Sequence, residues 1–142
     1  GSACESCHAA QLKLYSGRSL DAGMPDVMFE AELECGQCHF GDSGEIVRPE
    51  ADVCVTCHDE EYAEILAEWT QETAGLLARL DKLLAAAQEL NLTTGQQGNL
   101  ASARRIRKVF ADDGSRGVHN YMMAVQYLEE AAAKLEEFLP EN

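Results

Sequence analysis

The chain has 142 residues, of which 46% are hydrophobic and only 6% aromatic, and it carries a formal charge of -14. That is the size of one domain, or at most one and a half, with enough apolar side chains for a core. Such acidity excludes nucleic acid as a partner, because binding it requires Lys and Arg to neutralise phosphates. No apolar run approaches the length that spans a membrane. The charge favours docking on basic surfaces of protein partners.

The chain opens Gly1-Ser2-Ala3 with no charged-then-apolar leader. This reads as a cleaved leader or a trimmed chain, with Gly-Ser resembling a cloning scar, and so as a piece of a longer protein. Three motifs then follow: Cys4-Glu5-Ser6-Cys7-His8, Cys35-Gly36-Gln37-Cys38-His39 and Cys54-Val55-Thr56-Cys57-His58. They use all six cysteines and three of the four histidines. C-x-x-C-H is the attachment signal of c-type haem. Two thiols one short turn apart add across the two porphyrin vinyl groups, and the next residue sets an imidazole under the iron. Zinc and disulfides also use paired cysteines, but neither accounts for a histidine after every second cysteine. The sequence therefore predicts three covalent haem c groups on Cys4, Cys7, Cys35, Cys38, Cys54 and Cys57, with His8, His39 and His58 as proximal ligands. Thioether formation takes place outside the bacterial inner membrane, as membership of the c-type class implies. The expected location is the periplasm or beyond the cell.

With three haems on residues 4–58, the peptide is too short for a conventional core. Residues 1–59 are expected to wrap the porphyrins with little regular structure beyond a helical turn at each motif, and to be unfolded without haem. From Glu60 the texture changes. Tyr62, Leu66, Trp69, Thr73, Leu76, Leu80, Leu83, Ala87 and Leu90 alternate at spacings of four and three, the pattern of a long helix packed on another. At 1.5 Å per residue a helix over 60–91 is roughly 45 Å long. The polar stretch 91–98, with two glycines, breaks it. A second helix is predicted over about 99–112, with Ala103, Ile106 and Phe110 inward. Asp112 to Gly117 interrupts it, and a third runs over about 118–139, where Pro140 ends it. The fold class is mainly α. Residues 60–142 form a long antiparallel helical hairpin, its return arm interrupted near Gly114–Gly117, packing on the haems. The basic cluster Arg104 to Lys108 reads as a solvated or propionate-pairing face of a helix.

Three haem irons have six axial positions, and the motif histidines fill three. His119 is the one histidine left. It follows a glycine-rich break at the start of a helix, where a side chain projects past the helix end, and is the candidate distal ligand. Met28, then Met24, in the short loop between the first two motifs, are candidates for thioether ligation, which raises a haem's potential. A partner chain or solvent are the other sources.

The motifs, the loop Met-Pro-Asp-Val-Met-Phe-Glu-Ala over 24–31 and Gly117-Val118-His119-Asn120 resemble the multihaem cytochromes c of anaerobic respiration. That broad group includes small cytochrome partners of nitrite reductase and the hydroxylamine-oxidoreductase-like enzymes. In those proteins Gly-x-His-Asn before a long C-terminal helix supplies a distal haem histidine, so the resemblance implicates His119. It implies a small three-haem member or the C-terminal portion of a larger one. The group's usual four or more haems and additional histidines are absent here.

The leading expectation is an electron carrier with redox protein partners, in anaerobic respiratory or extracellular electron transport. One alternative is a haem enzyme or small-ligand sensor with an open axial site. Another is a subunit of a larger cytochrome assembly that takes ligands from a neighbour, with the heptad helices as an oligomer contact.

Overall fold

The computed structural model describes residues 3–140, and Gly1 and Ser2, read above as a scar, lie outside them. The mainly α class is borne out: among the described residues there are eight helices and no strand, apart from one isolated antiparallel bridge between Phe40 and Ile46. Five are short: α1 (Ala3–Cys7), α2 (Ala9–Tyr15), α3 (Val27–Glu30), α4 (Cys35–His39) and α5 (Ala51–Cys54). Three are long: α6 (Glu61–Gln88), α7 (Thr94–Asp113) and α8 (Tyr121–Glu136).

The long antiparallel hairpin is α6 against α7, pinned by a fork-like ion pair in which Arg107 donates to both oxygens of Asp81. The chain then reverses at residues 114–120, where an interruption of the return arm was expected. It returns as α8, parallel to α6: Trp69 stacks on Tyr121 near one end, and Arg79 pairs with Glu136 further along. All three long helices pack on one another. This arrangement widens the buried face of α8. Met123, Ala124, Leu128, Ala131, Ala132 and Leu135 are all buried, where a single heptad stripe needs only some of them. Ala103, Ile106 and Phe110 face inward as expected, joined by Leu100.

Two boundaries differ from the sequence expectation for a local reason. The helix predicted from residue 99 starts at Thr94, because Thr93 and Gln96 form a capping box. Thr93 Oγ1 accepts the Gln96 N–H, and Gln96 Oε1 accepts the Thr93 N–H. Two first-turn donors are thereby satisfied, enough to carry Gly95 and Gly98 into the helix. The last helix starts after Asn120, whose side-chain oxygen accepts the Met123 N–H.

The N-terminal segment does not lie loosely beside these helices. Leu14 and Leu20 belong to the same buried cluster as Leu80, Phe110, Met123 and Leu128. Gln11 donates to the Asp113 carbonyl, and Arg48 to the Gly114 carbonyl. Both contacts meet the turn between α7 and α8. That turn is tight: Gly114, Arg116 and Gly117 all have positive φ, and a Cβ on Gly117 would fall 2.3 Å from Thr73 Oγ1. Glycine is required there for the close approach to α6.

Candidate functional site

Each C-x-x-C-H motif sits on a short helical turn, so the two thiols of a pair project from one side. Cys35, Cys38 and His39 all lie in α4. Cys4 and Cys7 lie in α1, with His8 following it. Cys54 ends α5, and the turn continues so that the His58 N–H reaches the Cys54 carbonyl. Cys4, Cys35, Cys38 and Cys54 are partly buried, and Cys7 and Cys57 are exposed. Burial pushes the Cys38 thiol up, and Cys54, Cys57 and Cys35 add to it. The second and third motifs are therefore neighbours in space. Among the described residues no three His, Cys, Asp or Glu side chains converge on a metal-ion cage.

His39 is held by a backward fold of the chain. The turn through Gly41–Gly44 brings Val47 back beside it, and the Val47 carbonyl lies 3.1 Å from His39 Nδ1. A carbonyl only accepts, so Nδ1 carries the proton and Nε2 is left as the free donor atom.

His119 stands opposite. Its ring centroid is 6.1 Å from that of His39, with 48° between the planes. Its Nδ1 lies 2.7 Å from Asp113 Oδ1, which leaves its Nε2 free as well. First-row metal–imidazole bonds of roughly 2 Å put two opposed rings about 6 Å apart, centre to centre. The observed separation of 6.1 Å matches that spacing. Tyr15 borders the same space at 6.4 Å from His119, its hydroxyl donating to the Leu33 carbonyl. Burial, with Asp26, Cys38 and Cys35 nearby, pushes its phenol well above the ordinary range. Beside it a cavity of about 210 Å3 is lined by Glu5, Leu12, Phe29, Leu33, Glu34 and Cys35.

The other candidates are not drawn together in this way. His8 and His58 are exposed, and His58 stacks face to face on Tyr62 at 3.9 Å. Met24 is 54% exposed, and the group it has in use is its carbonyl, which accepts from Asn120. Met28 is half-buried in α3. Met123 fills the core and Met122 is exposed. In the basic cluster Arg105, Arg107 and Lys108 are engaged by Asp21, Asp81 and Asp112, the solvated-face option. Arg48 and Arg116, with Glu50, line a cavity of about 330 Å3 next to α5.

Of seven exposed large apolar side chains among the described residues, five (Met24, Val27, Phe40, Ile46 and Val55) fall between residues 24 and 55, the segment that carries the second motif and the start of the third, where a porphyrin would cover them.

Residues 1–59 match the family model described as cytochrome c7 and related cytochrome c. They carry the features of a multihaem c-type cytochrome. No curated protein matches the chain. Among solved structures the outer cell wall cytochrome OcwA is similar to this chain with a TM-score of 0.74 and 23% identity, over 93% of this chain. The match covers 34% of that chain, so this one spans about a third of its length. At that identity the likeness is one of fold, and it takes in the helices as well as the motif segment. Sequence reasoning missed Asp113, Val47 and the anchoring role of Asn120. No motif marks a carboxylate six residues before a histidine or a backbone carbonyl eight after one.

Proposed function

We propose that this cytochrome is an electron carrier with three covalently attached haems, in which His39 and His119 are the axial pair of the second. The two rings with centres 6.1 Å apart, each with Nδ1 engaged, are the observation that carries this reading. Haem iron, when bound, supplies a one-electron couple. The chain's part is to anchor the group through thiols, fix its axial imidazoles and bury its faces. The nearness of Cys38 to Cys54 and Cys57 supports short edge-to-edge passage between the second and third haems. The charge of -14 suits docking on basic redox partners. A place in anaerobic respiratory or extracellular electron transport, outside the inner membrane, accords with the motifs and the resemblance. The apolar stripe of α6 is covered by α7 and α8, which favours a monomer over a heptad-mediated oligomer.

The experiment is to mature the protein with haem, count haems by mass, and compare His119→Ala with the parent. Three haems are expected, and in the variant one of them changes from low-spin to high-spin and binds carbon monoxide. A variant with an unchanged spectrum refutes the pairing.

One observation favours a second reading. With His119 opposite His39, no histidine of this chain remains for the irons of His8 and His58. Their sixth positions fall to Met24, Met28, a neighbouring chain or a small ligand. Carbon monoxide binding by the parent protein would support an open-site enzyme or sensor, and its absence supports the carrier.

A further inference from the structure

We propose that Asp113 is the positioning residue for His119, and that its charge makes the haem between His39 and His119 the lowest in potential of the three. This inference rests on the axial pairing above. Asp113 is the last residue of α7, with its side chain 1% exposed. Oδ1 accepts from His119 Nδ1 at 2.7 Å. Oδ2 accepts from the Ser115 N–H at 3.0 Å and also from the Ser115 hydroxyl. Ser115 Oγ in turn accepts the His119 N–H at 3.1 Å. Ring and backbone of His119 are thus both tied to one carboxylate and its hydroxyl.

Apart from the two Ser115 bonds, the position offers a carboxylate little. The C-terminal end of a helix presents unpaired carbonyls and a partial negative charge. Among the described residues His119 is its only ion-pair partner. Besides the Ser115 N–H and hydroxyl, the group that gains from Asp113 is the imidazole.

The effect on that imidazole follows from the bond. A ring N–H held by a full carboxylate makes the other nitrogen a stronger donor. Stronger donation, with a negative charge nearby, favours ferric over ferrous iron and lowers the potential. The other axial ring has no such partner, since His39 Nδ1 faces the neutral Val47 carbonyl. His8 and His58 are exposed. A second carboxylate, Asp26, also faces His119, but its Oδ1 is occupied by the Met28 N–H at the start of α3.

The test uses the fully loaded protein. Asp113→Asn keeps shape and an acceptor oxygen while removing the charge. The haem identified by its loss in His119→Ala should titrate lowest in the parent. In Asp113→Asn it should stay low-spin while its reduction equilibrium shifts about tenfold toward ferrous, about 59 mV for one electron. Asp26→Asn, which keeps the cap of α3, should shift it less. An unchanged potential in Asp113→Asn, or an equal shift in both variants, overturns the proposal. Should Asp113→Asn fail to mature, the reduced parent protein with isotope-labelled histidine decides. The His119 ring N–H should exchange with solvent most slowly of the four, and exchange as fast as that of His8 overturns the proposal. If His119→Ala leaves every haem six-coordinate, the pairing itself falls. A pairing confirmed but indifferent to Asp113→Asn removes this inference alone.

Discussion

The side-chain amide of Asn120 donates to the Met24 carbonyl at 2.7 Å, joining the start of α8 to the loop between α2 and α3. The same nitrogen reaches the Leu14 carbonyl at 3.2 Å, and its oxygen caps α8 through the Met123 N–H at 3.2 Å. One buried amide therefore fixes where the N-terminal segment meets the helices, one residue away from His119. Asn120→Ala removes a helix cap and leaves buried carbonyls without a donor. Thermal unfolding of the loaded protein should show a loss of about 3 kcal/mol. The low-spin signal assigned to the His39–His119 pair should weaken in parallel, as the distal ring loses its mooring.

Gly117 makes the neighbouring constraint. Its φ is 93°, and an added Cβ would lie 2.3 Å from Thr73 Oγ1, a buried hydroxyl with no hydrogen-bond partner of its own. Gly117→Ala should destabilise by about 2 kcal/mol or more, from the left-handed backbone together with the displaced contact. Thr73→Ala removes an unsatisfied polar atom and opens space at the same spot, so it should be near neutral. The double variant should recover part of the Gly117→Ala loss, and a coupling of about 1 kcal/mol in the cycle checks the contact.

How far the sequence carried depends on the range of the interaction. The haem motifs were legible because thioether attachment is a local spacing rule, met three times. The inward face of α7 was legible because Ala103, Ile106 and Phe110 repeat at helical spacing. The reversal at residues 114–120 was not. A glycine-rich break looks the same whether the chain goes on in line or turns back, and Gly117 against Thr73 is a contact between residues far apart in sequence. His119 was legible by elimination, as the one histidine without a motif. Its nearness to His39 was not, since that depends on how Asn120 moors the N-terminal segment.

Phe110 separates packing from ligand effects. It is 1% exposed in the shared core and is itself neither a thiol nor an imidazole. Phe110→Ala should cost about 3–5 kcal/mol in denaturant unfolding. The absorption spectrum and potentials of the folded fraction should remain those of the parent. A spectral change as large as that of Asn120→Ala would mean that the core and the haem cradle are coupled more tightly than their contacts imply.

The protein without haem should divide along the line where the packing changes character. Only Leu14 and Leu20 from the motif segment enter the buried core, and five exposed apolar side chains between residues 24 and 55 have nothing to cover them without porphyrin. Residues 27–58 hold only three helices of five residues or fewer, too short to persist alone. The three long helices bury Leu80, Phe110, Leu128 and Leu135 among themselves. Replacing all six cysteines with alanine, which prevents attachment, should leave most of the helical circular dichroism in place. Amide exchange in α6, α7 and α8 should remain protected, while residues 27–58 exchange at the rate of an open chain. Protection over 27–58 in that variant would show that the peptide folds without the porphyrin. The exposed apolar face would then need a different occupant.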